Sequence, residues 1–349
     1  MSLNFEEFSF IGFLLLLLIN FILFLCLNYL ALKYHFLIDK KYSSKHKIFI
    51  GKELIPYTGS IIFIINYYIL YFSNSTLNNL IIFLIFLLGL ASDAQKINST
   101  LIRFALQIIL IVSFLYLNKI IVPYIYINSV DNLINNNFYF GIIFTAFCLL
   151  ILLNGSNFID GANLICSGYY ISILITIFYL LRIYDFYLPD FKEVYFLSFL
   201  LVFGLFNSLN KTYLGDGGVY LISFSVGIFL IKFFAYNDFS PYFVALLLWY
   251  PAFENLFTIL RRRIFTLSNL DRPDNDHLHH YLFQYINNKS KIDFVKKNGA
   301  GILIVIYNFI LFNVGKYFVF ETNYIVTLII ISIIIYILTY IYLKKINIK

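Results

Sequence analysis

An all-α, polytopic membrane protein is the fold class this chain predicts, and three observations predict it. Hydrophobic residues make up 61% of the 349 and charged ones only 12%, about half the charged share of an ordinary soluble domain. Apolar runs long enough to cross a hydrocarbon layer of about 30 Å follow one another along the whole length. The cations are also segregated. With the C-terminus placed in the cytoplasm, twenty of the 25 Lys and Arg residues fall on the cytoplasmic side, which is the bias that sets membrane topology. A soluble fold of this size would have to bury nearly every helix on all sides, and its surface-to-volume ratio forbids that.

Taken in order, the runs predict about eleven transmembrane helices, near 9–32, 55–72, 77–92, 101–118, 138–154, 162–181, 193–208, 218–234, 239–260, 300–318 and 323–343. The 77–92 run is short enough to be tilted, broken or partly buried. An odd count puts the termini on opposite sides, N-out and C-in. The residues ahead of the first run, MSLNFEEFSF, are acidic where a cleaved leader would carry cations, so the first helix is expected to be retained. Cys26, Cys148 and Cys166 have no pairing or metal-ligand spacing and read as small packing residues. No internal repeat or long linker divides the chain, so residues 1–349 are expected to form one domain. The net charge of +7 is a topology signal with some attraction to anionic headgroups, and it calls for no nucleic-acid partner.

Five polar islands interrupt the apolar pattern: the basic loop 39–60, GLASDAQK at 89–96, NGSNFIDGAN at 154–163, YLGDGG at 213–218, and the stretch 261–282. The last contains DRPDNDHLHHYL, three histidines and three carboxylates within twelve residues. All five lie on the side that the cation count makes cytoplasmic. Carboxylates beside a membrane core are costly, yet Asp93, Asp160 and Asp216 each end or interrupt an apolar run at that same face. Carboxylates, glycine-rich turns that free backbone N–H groups for anions, and clustered cations together suit magnesium-assisted chemistry on phosphates.

These islands resemble, in order and over almost the whole chain, the motifs of the polyprenyl-phosphate N-acetylhexosamine-1-phosphate transferases (glycosyltransferase family 4, undecaprenyl-phosphate N-acetylglucosamine-1-phosphate transferase-like branch). The likeness is carried by GLASDAQK with Arg103 and Gln107 following, by NGSNFIDGAN, by KTYLGDGG and by RPDNDHLHH; the first loop, with Asp39, Lys45, His46 and Pro56 to Ser60, is similar more loosely. The resemblance implies a Mg²⁺-dependent (Mn²⁺ being a substitute) EC 2.7.8-type reaction at the cytoplasmic face of a bacterial inner membrane. UDP-N-acetylhexosamine and undecaprenyl phosphate would give undecaprenyl-diphospho-N-acetylhexosamine and UMP, the initiating step of O-antigen, capsule or cell-wall glycan assembly.

By the same resemblance, Asp93, Asp160 and Asp216 are the catalytic candidates, and Asp93 and Asp216 would hold the metal. Asp160, with Asn157 and Asn163, would line the nucleotide side, and Asn154 would bind substrate. His277, His279 and His280, with Arg263 or Arg272, would hold phosphate oxygens and the sugar, and Lys45 and His46 the acceptor phosphate. A homodimer is left open. The sequence departs from the pattern at Ser92, where an aspartate is usual, at Leu164, where a glycine is common, and at Glu254, often an aspartate. Since a phosphate monoester is largely ionised at neutral pH, the acceptor needs no strong base and an active variant is expected.

Other readings stand beside these. Ser92 alone supports a catalytically silent relative acting as a membrane partner protein, and a peptidoglycan-branch enzyme using UDP-muramoyl-pentapeptide is the alternative within the family. A transporter would gather charge near the bilayer midplane. Arg261 to Arg263 double as a topological stop, and Glu254 has one of them as a candidate partner. Asp39, Asp274 and Asp276 read as helix caps or cation partners, and Asp131, Asp185, Asp190 and Asp238 as solvated residues of the far side. On a helix His277 and His280 share a face while His279 points away, so a three-histidine zinc site is not expected.

Overall fold

The computed structural model describes residues 10–38, 55–71, 75–97, 99–188, 192–263 and 276–347. Among them are thirteen α-helices: α1 (Phe10–Tyr34), α2 (Thr58–Tyr71), α3 (Thr76–Asp93), α4 (Thr100–Asn118), α5 (Asn128–Asn136), α6 (Phe138–Ile159), α7 (Ile165–Tyr184), α8 (Lys192–Ser208), α9 (Gly215–Tyr236), α10 (Pro241–Arg261), α11 (Leu278–Lys289), α12 (Asp293–Gly315) and α13 (Thr322–Asn347). No strand occurs among the described residues; one isolated antiparallel bridge joins Ile38 to Pro56.

Each of the eleven expected runs contains a helix, and among the described residues nine helices are long and apolar enough to cross a membrane. The 76–93 helix is one of the nine. The other two are shorter, α2 with 14 residues and α8 with 17. At 1.5 Å per residue α2 is roughly 21 Å long, so the extended Ile55–Tyr57 ahead of it is needed to reach the same face.

Three boundaries extend well past the apolar runs. Helix α6 runs on to Ile159, α9 begins at Gly215 and α12 at Asp293, against 154, 218 and 300 from hydropathy. Hydropathy stops where the hydrocarbon stops, whereas a helix can continue into the aqueous boundary. Two further helices, α5 and α11, are too short and polar to have been read as spans. The far-side carboxylates are also less idle than expected: Asp131 accepts the Ile125 N–H at 2.7 Å, and Asp238 accepts the Tyr124 hydroxyl at 3.2 Å. Burial first, and then neighbouring Tyr126 and Asp238, raise the Tyr124 phenol above its ordinary range.

Helix α9 is the axis of the bundle. Of its membrane window 89% is buried, against 17% for α1 and 22% for α4 and α13, whose apolar faces are left to lipid. Glycines set how close its neighbours come: a Cβ on Gly89 of α3 would collide with the Gly217 backbone of α9, and one on Gly155 of α6 with the Pro251 carbonyl of α10. Aromatic rings fill the α1–α8 seam, with Phe24 packed on Phe199, Phe203 and Phe206. Some uncharged polar residues at membrane depth pair with one another. The amides of Asn20 and Asn66 exchange hydrogen bonds at 3.0 and 2.6 Å, and Asn20 also donates to Ser198 at 3.3 Å, as polar glue between membrane helices does.

Candidate active site

The carboxylates meet where α3 ends and α9 begins. A helix start leaves backbone N–H groups without partners, and at α9 the N-cap residue is Leu214, which offers no side-chain acceptor. Asp93, the last residue of α3, supplies one from across the bundle: the N–H groups of Asp216 and Gly217 donate to its Oδ1 and Oδ2 at 3.1 and 3.5 Å. The close α3–α9 approach at Gly89 makes this possible. Gly215 is needed twice over, since its φ is +72° and a Cβ there would press on Asp93 Oδ2.

Asp216 then faces Ser92 and Arg103. The Ser92 hydroxyl donates to Asp216 Oδ2 at 2.6 Å, and Arg103 Nη1 donates to Ser92 Oγ at 2.6 Å while lying 3.5 Å from Asp216 Oδ2. The Arg103 and Asp216 side chains are 24% and 23% exposed, so this is the rim of a site and not a sealed core pair. The first loop packs on the same turn. The Gly59 N–H donates to the Tyr213 carbonyl and the Tyr213 N–H to the Pro56 carbonyl, while Thr58 bonds both Asn28 and Thr212.

The second wall is the end of α6 and the turn after it. Asn154 donates to Gln107 Oε1 at 3.0 Å, Asn157 is half-buried one turn on, and Asp160 is the C-cap. Asn163 is a brace, because its amide donates to Asn210 Oδ1 at 2.6 Å and to Asn298 Oδ1 at 3.2 Å. Leu164 follows in the left-handed region at φ +68°, which is the physical reason a glycine suits that position. Asp160, Gly161, Ala162 and Asn163 line one cleft with Asn207, Tyr213 and Leu214, so Asp160 lies beside the turn that leads into Asp216.

The histidine segment closes the site from the third side, and here the helical-wheel expectation is corrected. His277 is the N-cap of α11, with φ −91° and ψ 154°, and so lies outside the helix. The three rings therefore gather, with centroids 5.4 Å apart for His277–His279 and His277–His280 and 4.2 Å for His279–His280. A Cβ on Gly161 would collide with His279 Nε2, which ties the second wall to the third. A second cleft lies there, lined by Gly161 to Asn163, His279, His280, Phe283 and Lys297.

Lys297 is a site residue that no motif marks; the one signal in the sequence is its place beside Lys296 just ahead of an apolar run. Glu254 pairs with His277 and Tyr336 and with none of the arginines. Arg261 takes Asp276 at 3.2 Å, and Arg263 is exposed at the helix end. Lys45, His46, Arg272, Asp39, Asp190 and Asp274 lie outside the described residues.

Among the described residues no three His, Cys, Asp or Glu side chains lie close enough together to hold a metal ion. Asp93 and Asp216 meet at one junction, and two carboxylates are a donor set that suits Mg²⁺, which takes one or two and completes its shell with water and phosphate oxygens. A family model described as glycosyl transferase family 4 matches residues 75–234, the stretch from α3 to α9 that carries Asp93, Arg103, Asp160 and Asp216. No curated protein matches the chain.

Proposed function

We propose that this chain, which belongs to glycosyl transferase family 4, transfers N-acetylhexosamine 1-phosphate from a UDP-sugar to undecaprenyl phosphate at the cytoplasmic face of a bacterial inner membrane, releasing UMP. The observation that carries the reading is the junction of Asp93, Ser92, Asp216 and Arg103 at the start of α9, with Asp160 and the histidine cluster bordering adjoining clefts. One oxygen of the acceptor phosphate would attack the sugar-bearing phosphorus; the P–O bond to the UMP phosphorus would break, and UMP would leave with that electron pair. No base is required, because a phosphate monoester has its second pKa near 6.

Asp216, with Asp93, would hold Mg²⁺, which when bound neutralises diphosphate charge. Arg103 steadies Asp216 through Ser92, and Asp93 keeps the α9 amides aligned. His279, His280 and Lys297 would meet anionic oxygens of the donor, and Asn154 and Asn157 the nucleotide side. A homodimer fits this reading equally well.

Purified protein in detergent, given undecaprenyl phosphate, Mg²⁺ and a panel of UDP-N-acetylhexosamines, should release UMP only when the lipid is present. Chelation should stop the release and added Mg²⁺ restore it. Asp216→Asn should lower it by about 10²–10³-fold, the scale of one lost transition-state electrostatic group. UMP release that ignores the lipid or survives Asp216→Asn would refute the proposal.

A further inference from the structure

The histidine segment lies outside the stretch matched to the family, and so do the two residues that hold its first ring. Glu254 of α10 is fully buried. His277 Nδ1 meets its Oε1 at 2.8 Å, and the Tyr336 hydroxyl of α13 donates to its Oε2 at 2.6 Å. His277, 4% exposed, stacks with Phe158 of the second wall at 5.5 Å and with His279 at 5.4 Å. Tyr336 is itself fixed by Phe253 and Phe257, at 5.0 and 5.4 Å between centroids. Farther out, α13 holds the same segment again: Lys344 lies 3.8 Å from Asp276, and Asn347 donates to the Tyr281 carbonyl at 3.0 Å.

A carboxylate buried on a membrane helix is costly, and apolar residues of similar volume would pack α10 on α13 as well or better. What a carboxylate adds is an acceptor with a direction. With one oxygen taken by a phenol, which donates, the other is aimed at an imidazole nitrogen. A ring held this way carries its hydrogen on that nitrogen and presents its other edge in a fixed orientation.

We infer that Glu254 and Tyr336 are positioning residues for His277: they hold its proton on Nδ1, so that Nε2 is left as the acceptor for a hydroxyl of the substrate's sugar. The effect on turnover rests on the transferase reading; the position of the proton does not.

The test has two readouts. The chain contains five histidines, so ¹⁵N-histidine labelling with a His277→Asn reference assigns the His277 ring signals in the full-length protein. The wild type should show Nδ1 protonated. Glu254→Leu combined with Tyr336→Phe removes the acceptor and the phenol that donates to it, leaves Nδ1 only the Thr258 hydroxyl at 3.5 Å, and should move the proton to Nε2. Glu254→Asp should keep it on Nδ1 and serves as the gentler variant if the pair does not fold. In the UMP assay the paired variant should lose about 10–100-fold in kcat, the range for removing an outer partner of a working histidine, with KM for the donor changed less than twofold. An unchanged His277 signal in the paired variant would overturn the inference, and so would a shifted signal with undiminished kcat. If the wild type itself releases no UMP, the transferase reading fails, and the ring signal still decides whether Glu254 sets the proton.

Discussion

Ser92 stands where the resemblance implies an aspartate, and its surroundings suit a hydroxyl. It accepts from Arg103 and donates to Asp216, both at 2.6 Å; a carboxylate could do the first but not the second. A second charge so close to Asp216 would cost a few kcal/mol, given about 4 kcal/mol for like charges 4 Å apart at an effective dielectric of about 20. Ser92→Asp should therefore slow UMP release about tenfold or more, while Ser92→Ala leaves Arg103 free to close directly on Asp216 and should cost less. A gain of activity in Ser92→Asp would instead mark a silent relative. Gly161 is the other residue with a sharp expectation. Gly161→Ala must displace either the Asp160 turn or the His279 ring, and a displacement of about 1 Å costs on the order of 10²-fold in rate. UMP release should fall far more than thermal stability does, and equal losses would make the contact merely structural.

Between elements, the closest approaches are set by single glycines. Gly155→Ala drives a methyl into the Pro251 carbonyl where α6 crosses α10, so about 1–3 kcal/mol of stability should be lost to overpacking. Gly204→Ala on α8 meets nothing nearer than 3.5 Å and should be neutral or slightly stabilising, because alanine is the better helix former by about 1 kcal/mol. Denaturant titration of the two proteins in the same detergent compares them, and matching midpoints would refute the close crossing. The capping of α9 by Asp93 belongs to this scale as well: the acceptor that the sequence around Leu214 lacks arrives from another helix.

For the molecule as a whole, the site sits at one end of the bundle, where α3, α6, α8 and α10 end and α4, α7, α9 and α12 begin. If that end is cytoplasmic, as the cation bias predicts, a single cysteine placed at exposed Lys96 should react only with reagent admitted to the inside of cells, and one at exposed Asn128 from outside. Labelling with the opposite sidedness would invert the topology and remove access to a cytosolic nucleotide sugar.

Much of this was legible in the chain itself. Apolar runs and cation asymmetry are one-dimensional signals, so a helix in each of the eleven apolar runs follows from them, nine of these helices being long and apolar enough to cross a membrane. Asp93, Asp160 and Asp216 were legible for a related reason: charge at a membrane boundary is too costly to be incidental. Contacts across the bundle were not. That Asp93 caps α9, that Asn163 braces the Asn210 turn, that Glu254 meets His277 and Tyr336 and none of the arginines, and that His277 lies outside α11 so that three rings converge, all depend on which helix faces which and at what depth. Helix packing settles those facts through glycine contacts and aromatic seams more than a hundred residues apart in places, and no local pattern of hydropathy or propensity encodes them.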